Sequence, residues 1–373
     1  MVETQPKFKV SFKELAVLAI QRQQRGSVVI ILKDETNALV DKAVYKSLGD
    51  VNKADYTEEN YDRLTLAFLG NPSKVIVIKA DDDDESFSTI SAKLDYYNNY
   101  TLCYPEGEAS DFTAIQNYIK GIRAKNNYSR AVLGGAMSPD AEYIINFTTE
   151  NIKANINGEV KTFTSGDYTC RVAGALSGLT PSRSLTFYEL PEIVEAPLSE
   201  DADADVAAGK LIVLHQDGSY KFSRAVNSLI TLTDGVTEAF QKIRVLDIMD
   251  MIANDIVTTF RAGYVGKYTN NFTNKNRLVA AINAYLHSLE VEGLLDYDPQ
   301  NPNPNKNKVQ ISYEKTKLYL EGKGVDTSEM TYNVVIRANT GSNVFLDGVC
   351  SPTDAMEDLD LGMYLFQALQ NAA

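Results

Sequence analysis

The chain has 373 residues, 44% of them apolar and 23% charged, which is enough for one large or two ordinary domains with a sizeable core. A net charge of −14 sets it against a phosphate backbone and suits solubility or a charge-matched protein partner. Three scattered cysteines, Cys103, Cys170 and Cys350, show no CxxC spacing and fit a reduced compartment and buried small side chains. The first residues lack the basic-then-apolar pattern of a signal peptide, and no apolar run approaches the roughly 20 residues of a bilayer span, so a soluble, cytosolically made protein without membrane insertion is expected.

In chain order, Lys7-Phe8-Lys9-Val10-Ser11-Phe12 alternates polar and apolar residues, the period of a strand with one buried face. Ser27 to Leu32 predicts a buried strand. Thr57 is placed to cap a helix that runs to Leu69 and is stopped by Gly70 and Pro72. Lys74 to Ala80 predicts a second buried strand. The five acids Asp81 to Glu85 fit the start of the next helix, where the positive helix end accepts them, better than a cation site. Helices are predicted at Phe87 to Asn98 and Phe112 to Lys125, with short strands near Thr101 to Tyr104 and Ala131 to Leu133. Asn157-Gly158 is the turn of a hairpin, and a helix follows from Asp167 to Leu176, where Gly174 and Gly178 allow close packing. Strands are expected at Ser184 to Glu189, Leu211 to Leu214 and Tyr220 to Leu232, and a short acidic helix from Glu200 ends at Gly209.

After Thr233 the pattern turns helical: Thr237 to Ala262 with an apolar stripe, Asn274 to Glu290, and Ser312 to Glu321, with a Pro-rich loop at Asp298 to Asn305 and a strand at Tyr332 to Ala338. The chain closes on a second alternation, Glu357-Asp358-Leu359-Asp360-Leu361-Gly362-Met363-Tyr364-Leu365. The fold class is therefore mixed α/β: a central mixed sheet covered by helices, with extended strand-forming arms at both ends. The divisions are an arm over 1–24, an α/β domain over 25–232, a helix-rich domain over 233–348 and a closing arm over 349–373.

Catalytic signatures are sparse. Neither His215 nor His287 has an acidic or cysteine neighbour at ligand spacing, and the carboxylates fall in runs typical of solvated faces and helix starts. No GxxxxGK[ST], GxGxxG or GxSxG is present. No catalytic residue, cofactor or metal ligand is assigned. A soluble α/β enzyme using carboxylate chemistry and a static self-assembling shell protein are two readings this composition allows.

Several stretches together carry a resemblance: Leu66-Ala67-Phe68-Leu69-Gly70-Asn71-Pro72, Tyr168-Thr169-Cys170-Arg171-Val172-Ala173-Gly174, Gly178-Leu179-Thr180-Pro181-Ser182-Arg183-Ser184, Gly209-Lys210-Leu211-Ile212-Val213-Leu214, Arg224-Ala225-Val226-Asn227-Ser228-Leu229 and Lys242-Ile243-Arg244-Val245-Leu246-Asp247. With Tyr264-Val265-Gly266-Lys267 and Asp354-Ala355-Met356-Glu357-Asp358, they make the chain resemble the contractile tail sheath proteins of bacteriophages and of R-type, phage-tail-like bacteriocins. The likeness covers nearly the whole chain and lacks the large inserted outer domain of the bigger sheaths.

The resemblance implies a non-enzymatic virion structural protein. Copies would form a helical homo-oligomer of stacked rings around a tail tube, meet baseplate and tail terminator proteins, and contract to drive the tube through an envelope. The two alternating ends then acquire a physical role, because strands added to a neighbour's sheet hold subunits together while they rotate. Phe8, Val10 and Phe12 are expected on the inward face of one arm, and Leu359, Leu361, Met363 and Leu365 on that of the other. Glu238, Asp247, Asp250 and Asp255 are the acids placed to meet a basic tube surface.

Overall fold

The computed structural model describes residues 19–20, 26–36, 42–80, 86–300, 302–303 and 306–363. Phe8, Val10, Phe12, Leu365 and the acidic run Asp81 to Glu85 lie outside the described residues. By its internal packing the chain divides into two units, Gln24–Asp250 with the segment that begins at Thr353, and Met251–Pro352 with Ala19 and Ile20.

The first unit opens with β1 (Ser27–Lys33), whose Val28 to Leu32 are all buried. The run carries a strand because five consecutive branched aliphatic residues fill both faces of a covered sheet. β2 (Lys42–Tyr45) follows, then α1 (Glu58–Phe68), capped by Thr57 Oγ1, which accepts from Asn60 N. Next come β3 (Lys74–Ala80), α2 (Phe87–Leu94), β4 (Tyr100–Cys103), α3 (Ala109–Arg123), β5 (Arg130–Gly134) and β6 (Ile144–Phe147). The predicted hairpin is β7 (Ile152–Ile156) and β8 (Glu159–Phe163), with Asn157 and Gly158 both at positive φ, 56° and 88°. α4 (Ser165–Gly178) starts from a capping box in which Thr164 and Asp167 each satisfy the other's backbone N–H. The unit continues through β9 (Ile193–Glu195), α5 (Ala202–Ala207), β10 (Lys210–Leu211), β11 (Val213–Gln216) and β12 (Ser219–Phe222).

Seven of these strands form one sheet in the order β10-β6-β5-β4-β1-β3-β2, parallel throughout except for the antiparallel edge strand β2. Alternate residues of β1 enter separate cores. Val28, Ile30 and Leu32 pack with Leu66 of α1 and Tyr168 and Val172 of α4, while Val29 and Ile31 pack with Ile90 of α2 and Ile115 and Ile119 of α3. This is the layered arrangement the alternation of strands and helices predicts. β8-β7-β9 make a separate antiparallel sheet and β11-β12 a hairpin.

Two strand expectations in this unit are corrected. Ser184 to Glu189 is a turn with a single bridge from Glu189 to Lys221, because Phe187 takes a left-handed φ of 55° that no strand tolerates. Tyr220 to Leu232 keeps strand structure only as far as Phe222. Beyond it Ser223 and Asn227 are wholly buried and make loop hydrogen bonds instead of a ladder.

α6 (Ile243–Gly263) crosses the division between the units, and a 3-10 turn (Glu238–Gln241) precedes it where the sequence predicted continuous helix from Thr237. The division at Asp250/Met251 lies inside this helix and not at Thr233, since Asp247 and Asp250 are tied to α3 and β5 of the first unit. The second unit adds α7 (Phe272–Val291), β13 (Lys308–Ile311), α8 (Tyr313–Glu321), α9 (Tyr332–Arg337) and β14 (Leu346–Val349), with β13 and β14 antiparallel. α9 corrects the predicted strand at Tyr332 to Ala338. Its β-branched pair Val334-Val335 reads as strand, but Thr331 starts a short helix that buries Val335 and leaves Val334 exposed. Cys103 and Cys170 are buried as expected, whereas Cys350 is exposed.

Candidate assembly site

The alternating closing segment is strapped to the α/β unit before it is exposed. Glu357 is the strap: its side chain is 8% exposed and receives three donors. Thr186 Oγ1 donates to Glu357 Oε1 at 2.6 Å, Lys242 Nζ meets Oε2 at 2.6 Å, and Arg224 Nε lies 3.2 Å from the same oxygen. Charge-assisted bonds of this kind are among the stronger ones a protein makes. Asp358 continues the contact, with both carboxylate oxygens 2.6 and 2.7 Å from Arg224 Nη2, and Asp354 lies 3.6 Å from Lys242 Nζ. Asp358 is 80% exposed, so solvent screens its pair and its contribution is small.

Beyond the strap, Leu359, Leu361 and Met363 are 87%, 68% and 84% exposed, and residues 359–363 belong to no strand. The sequence places these side chains on an inward strand face; within the single subunit they point to solvent. A run of large exposed apolar side chains on unpaired backbone is costly to leave open in water and is a recognised template for pairing with another chain.

Three of the four acids expected to meet a basic tube surface, Asp247, Asp250 and Asp255, pair with groups of their own subunit. Asp250 on α6 makes a bidentate pair with Arg123 of α3 at 2.7 and 2.8 Å, and the guanidinium also lies over the rings of Tyr128 and Tyr143. Asp247, one helical turn earlier, pairs with Arg130 of β5. Asp255 is fully buried and accepts from Tyr285 Oη at 2.6 Å. Glu238 alone of the four is exposed, on the 3-10 turn before α6. Asp250→Ala is expected to lower subunit stability by about 3 kcal/mol, because it strands a guanidinium only 13% exposed, whereas Asp358→Ala is expected to stay within about 0.5 kcal/mol. Urea unfolding of the two variants measures the difference.

The histidines hold ordinary surface positions. His215 lies against the ring of Tyr220 with centroids 4.7 Å apart, and His287 Nδ1 is 2.8 Å from Glu290, an acidic neighbour one turn along α7 that the sequence reading overlooked. The sequence also overlooked Thr186, Arg224 and Lys242 as the receptor for the strap. They come from a turn, a loop and a helix boundary far apart in the chain, and no periodicity links them.

By fold the chain is a sheath-type α/β protein. It superimposes on the helical sheath of the anti-feeding prophage in its contracted state with a TM-score of 0.69 at 11% identity, over 97% of this chain and 99% of that one. It also superimposes on the sheath tail protein of Desulfitobacterium hafniense with a TM-score of 0.66 at 15% identity, over 83% and 94%. Residues 236–365 match the phage tail sheath C-terminal domain family. The tail sheath protein of Clostridium phage phiCD119 is 35% identical over 365 residues, covering 94% of this chain and 97% of that protein. The chain belongs to the phage tail sheath family and is a structural, non-enzymatic subunit of a contractile sheath.

Proposed function

We propose that copies of this chain stack in rings around a rigid tail tube, as the helical sheath of a virion tail or phage-tail-like particle, and contract to push the tube through a target envelope. The observation that carries the reading is the 35% identity to a phage tail sheath protein across nearly the full length of both chains. The partners are further copies of the chain, the tube, a baseplate that starts contraction and a terminator that caps the stack, all assembled after synthesis in the host cytoplasm.

The ends of the chain supply the links. The closing arm leaves its own subunit at the Glu357 strap, and Leu359, Leu361, Met363 and Leu365 pass to the sheet of a neighbour, with Phe8, Val10 and Phe12 doing the same at the other end. About five backbone hydrogen bonds per strand, each worth roughly 1 kcal/mol net, survive rigid-body rotation if the hinge beyond the strap bends. Contraction needs no nucleotide: a few kcal/mol of extra interface per subunit, multiplied over many copies, drives a bistable lattice from one arrangement to the other. Glu238 is the acid left available for a weak, releasable contact with a basic tube.

Negative-stain electron microscopy of the purified chain at rising concentration tests this. Long, hollow, striated cylinders are expected. Particles that stay small and discrete even when a tail tube is supplied as template would overturn the reading.

A further inference from the structure

The second unit carries a basic face in an acidic chain. Met251–Pro352 holds ten acids and ten bases, so the net charge of −14 belongs to the rest of the chain. Within the unit the signs are separated again: between Asp255 and Glu290 there is no acid, but there are Arg261, Lys267, Lys275 and Arg277. The fold gathers these bases around the end of α6 and the start of α7 and adds Arg337 from α9. Lys267 Nζ donates to the Ala262 carbonyl, Arg277 Nη1 donates to Asn274 Oδ1 at 3.2 Å, and the Arg337 guanidinium lies 4.6 Å from the Phe272 ring centroid. Lys275 is 4% exposed, and its Nζ donates to Thr340 Oγ1 at 2.8 Å and to the carbonyl of Ala338, the residue after Arg337. Lys267, Lys275, Arg277 and Arg337 make no ion pair among the described residues, and Arg261, Lys267 and Arg337 are exposed. In an isolated subunit this arrangement is unfavourable. The first turn of α7 has no acid, and bases stand in its first two turns, where the positive helix end favours acids. Burying the Lys275 ammonium without a carboxylate adds a desolvation cost.

We infer that this basic face is an interaction surface, and that its partner is the acidic α/β unit of a second copy of this chain. The inference rests on the reading of the chain as a self-assembling subunit. Charge selects the partner. Two copies that each carry −14 repel as wholes, so they meet most readily where a face rich in bases opposes a surface rich in acids. The basic face supplies the first, and the α/β unit, which holds the excess of acid, supplies the second. Glu200 and Asp203 of that unit are exposed and make no ion pair among the described residues. Such a contact sets the orientation of one copy on the next and the rate at which they meet, more than the final strength of the joint. A nucleic acid is a poor alternative, because the same −14 repels its backbone.

The test uses the full chain without a tail tube. Arg277→Glu and Lys267→Glu are compared with Lys120→Glu, which reverses an exposed lysine of α3 and changes the net charge equally. Arg277→Glu relieves like-charge repulsion near the start of α7, so it is expected to melt with the wild type, and a loss of assembly then has no origin in unfolding. Both face variants are expected to need about tenfold more protein to assemble, read by sedimentation and electron microscopy, as one charge contact per subunit is lost; Lys120→Glu is expected to stay within about twofold of the wild type. Equal effects in all three variants would reduce the result to net charge and overturn the inference. Face variants that assemble like Lys120→Glu but fail to enclose a supplied tail tube would assign the face to the tube and overturn the second-copy partner. A wild-type chain that forms no cylinders even on a tube would defeat the sheath reading instead. Sedimentation velocity would then still decide the face: small oligomers weakened by Arg277→Glu and not by Lys120→Glu would uphold it, and a chain monomeric at every concentration would overturn it.

Discussion

Gly174→Val and Gly178→Val are expected to abolish soluble folding of the α/β unit. These glycines lie one turn apart on α4, against the end of α1, where the two helices meet backbone to backbone. A Cβ on Gly174 would sit 2.0 Å from the Ala67 carbonyl oxygen, one on Gly178 1.7 Å from the Gly70 carbonyl oxygen, and one on Gly70 2.0 Å from the Gly174 carbonyl carbon. The obstructing atoms are main chain, so no rotamer change relieves the clash and the helices must separate. Separation would strip Leu66 of α1 and Tyr168 and Val172 of α4 from the core they share with β1. Overpacking relieved only by moving backbone costs more than the usual 1–3 kcal/mol, and about 4–5 kcal/mol is expected here, much of the 5–15 kcal/mol by which a domain is stable. The same chemical change has the opposite sign elsewhere. At Gly121 in α3 no atom lies within 4 Å of the place a Cβ would occupy, and Gly121→Ala is expected to gain about 0.5–1 kcal/mol from helix propensity. Soluble yield and urea midpoints of the variants check both signs; a Gly178→Val protein with the wild-type midpoint would refute the close-contact account.

The second large effect concerns assembly. A chain ended after Asp358 keeps Glu357 and its three donors and loses the exposed Leu359, Leu361 and Met363. It is expected to melt with the wild type, remain monomeric and form no cylinders at any concentration. A chain ended before Thr353 loses the strap too, leaving Thr186, Lys242 and Arg224 without their carboxylate partner, and is expected to be about 1–2 kcal/mol less stable as well as unable to assemble. Sedimentation and electron microscopy read assembly, and thermal melting reads the fold. The two truncations thus separate the strap from the arm. Cylinders from the chain ended after Asp358 would rule out the closing arm as an essential link.

Sequence was informative wherever a residue's surroundings are set by its own neighbours in the chain. β1 and β3 were legible because runs of branched aliphatics dictate a strand covered on both faces. α1 was legible through its cap at Thr57, and the β7-β8 turn through Asn157-Gly158, whose positive φ values few other pairs adopt. The closing segment alternates in the sequence, yet within the single subunit its residues 359–363 form no strand. Sequence was misleading where local pattern and burial disagree. Tyr332 to Arg337 is rich in β-branched residues yet helical, since a short cap at Thr331 and the burial of Val335 outweigh a propensity worth tenths of a kcal/mol per residue. Ser184 to Glu189 alternates like a strand but turns at Phe187.

The acids show the same division most plainly. Glu238, Asp247, Asp250 and Asp255 are chemically alike in the sequence, and nothing in their spacing separates a solvated carboxylate from one held by a guanidinium. The fold brings Arg123 and Arg130 beneath α6, turns two of the four into internal ion pairs, buries a third against Tyr285, and leaves Glu238 exposed. By itself, then, the sequence determined the alternation of strands and helices from β1 to α4, the layered α/β class and the two alternating ends, because these depend on periodicity and on local turn chemistry. Only the tertiary structure decided which glycines are sterically required, which carboxylates are available, and where the closing segment is fastened, because each depends on atoms brought together from distant parts of the chain.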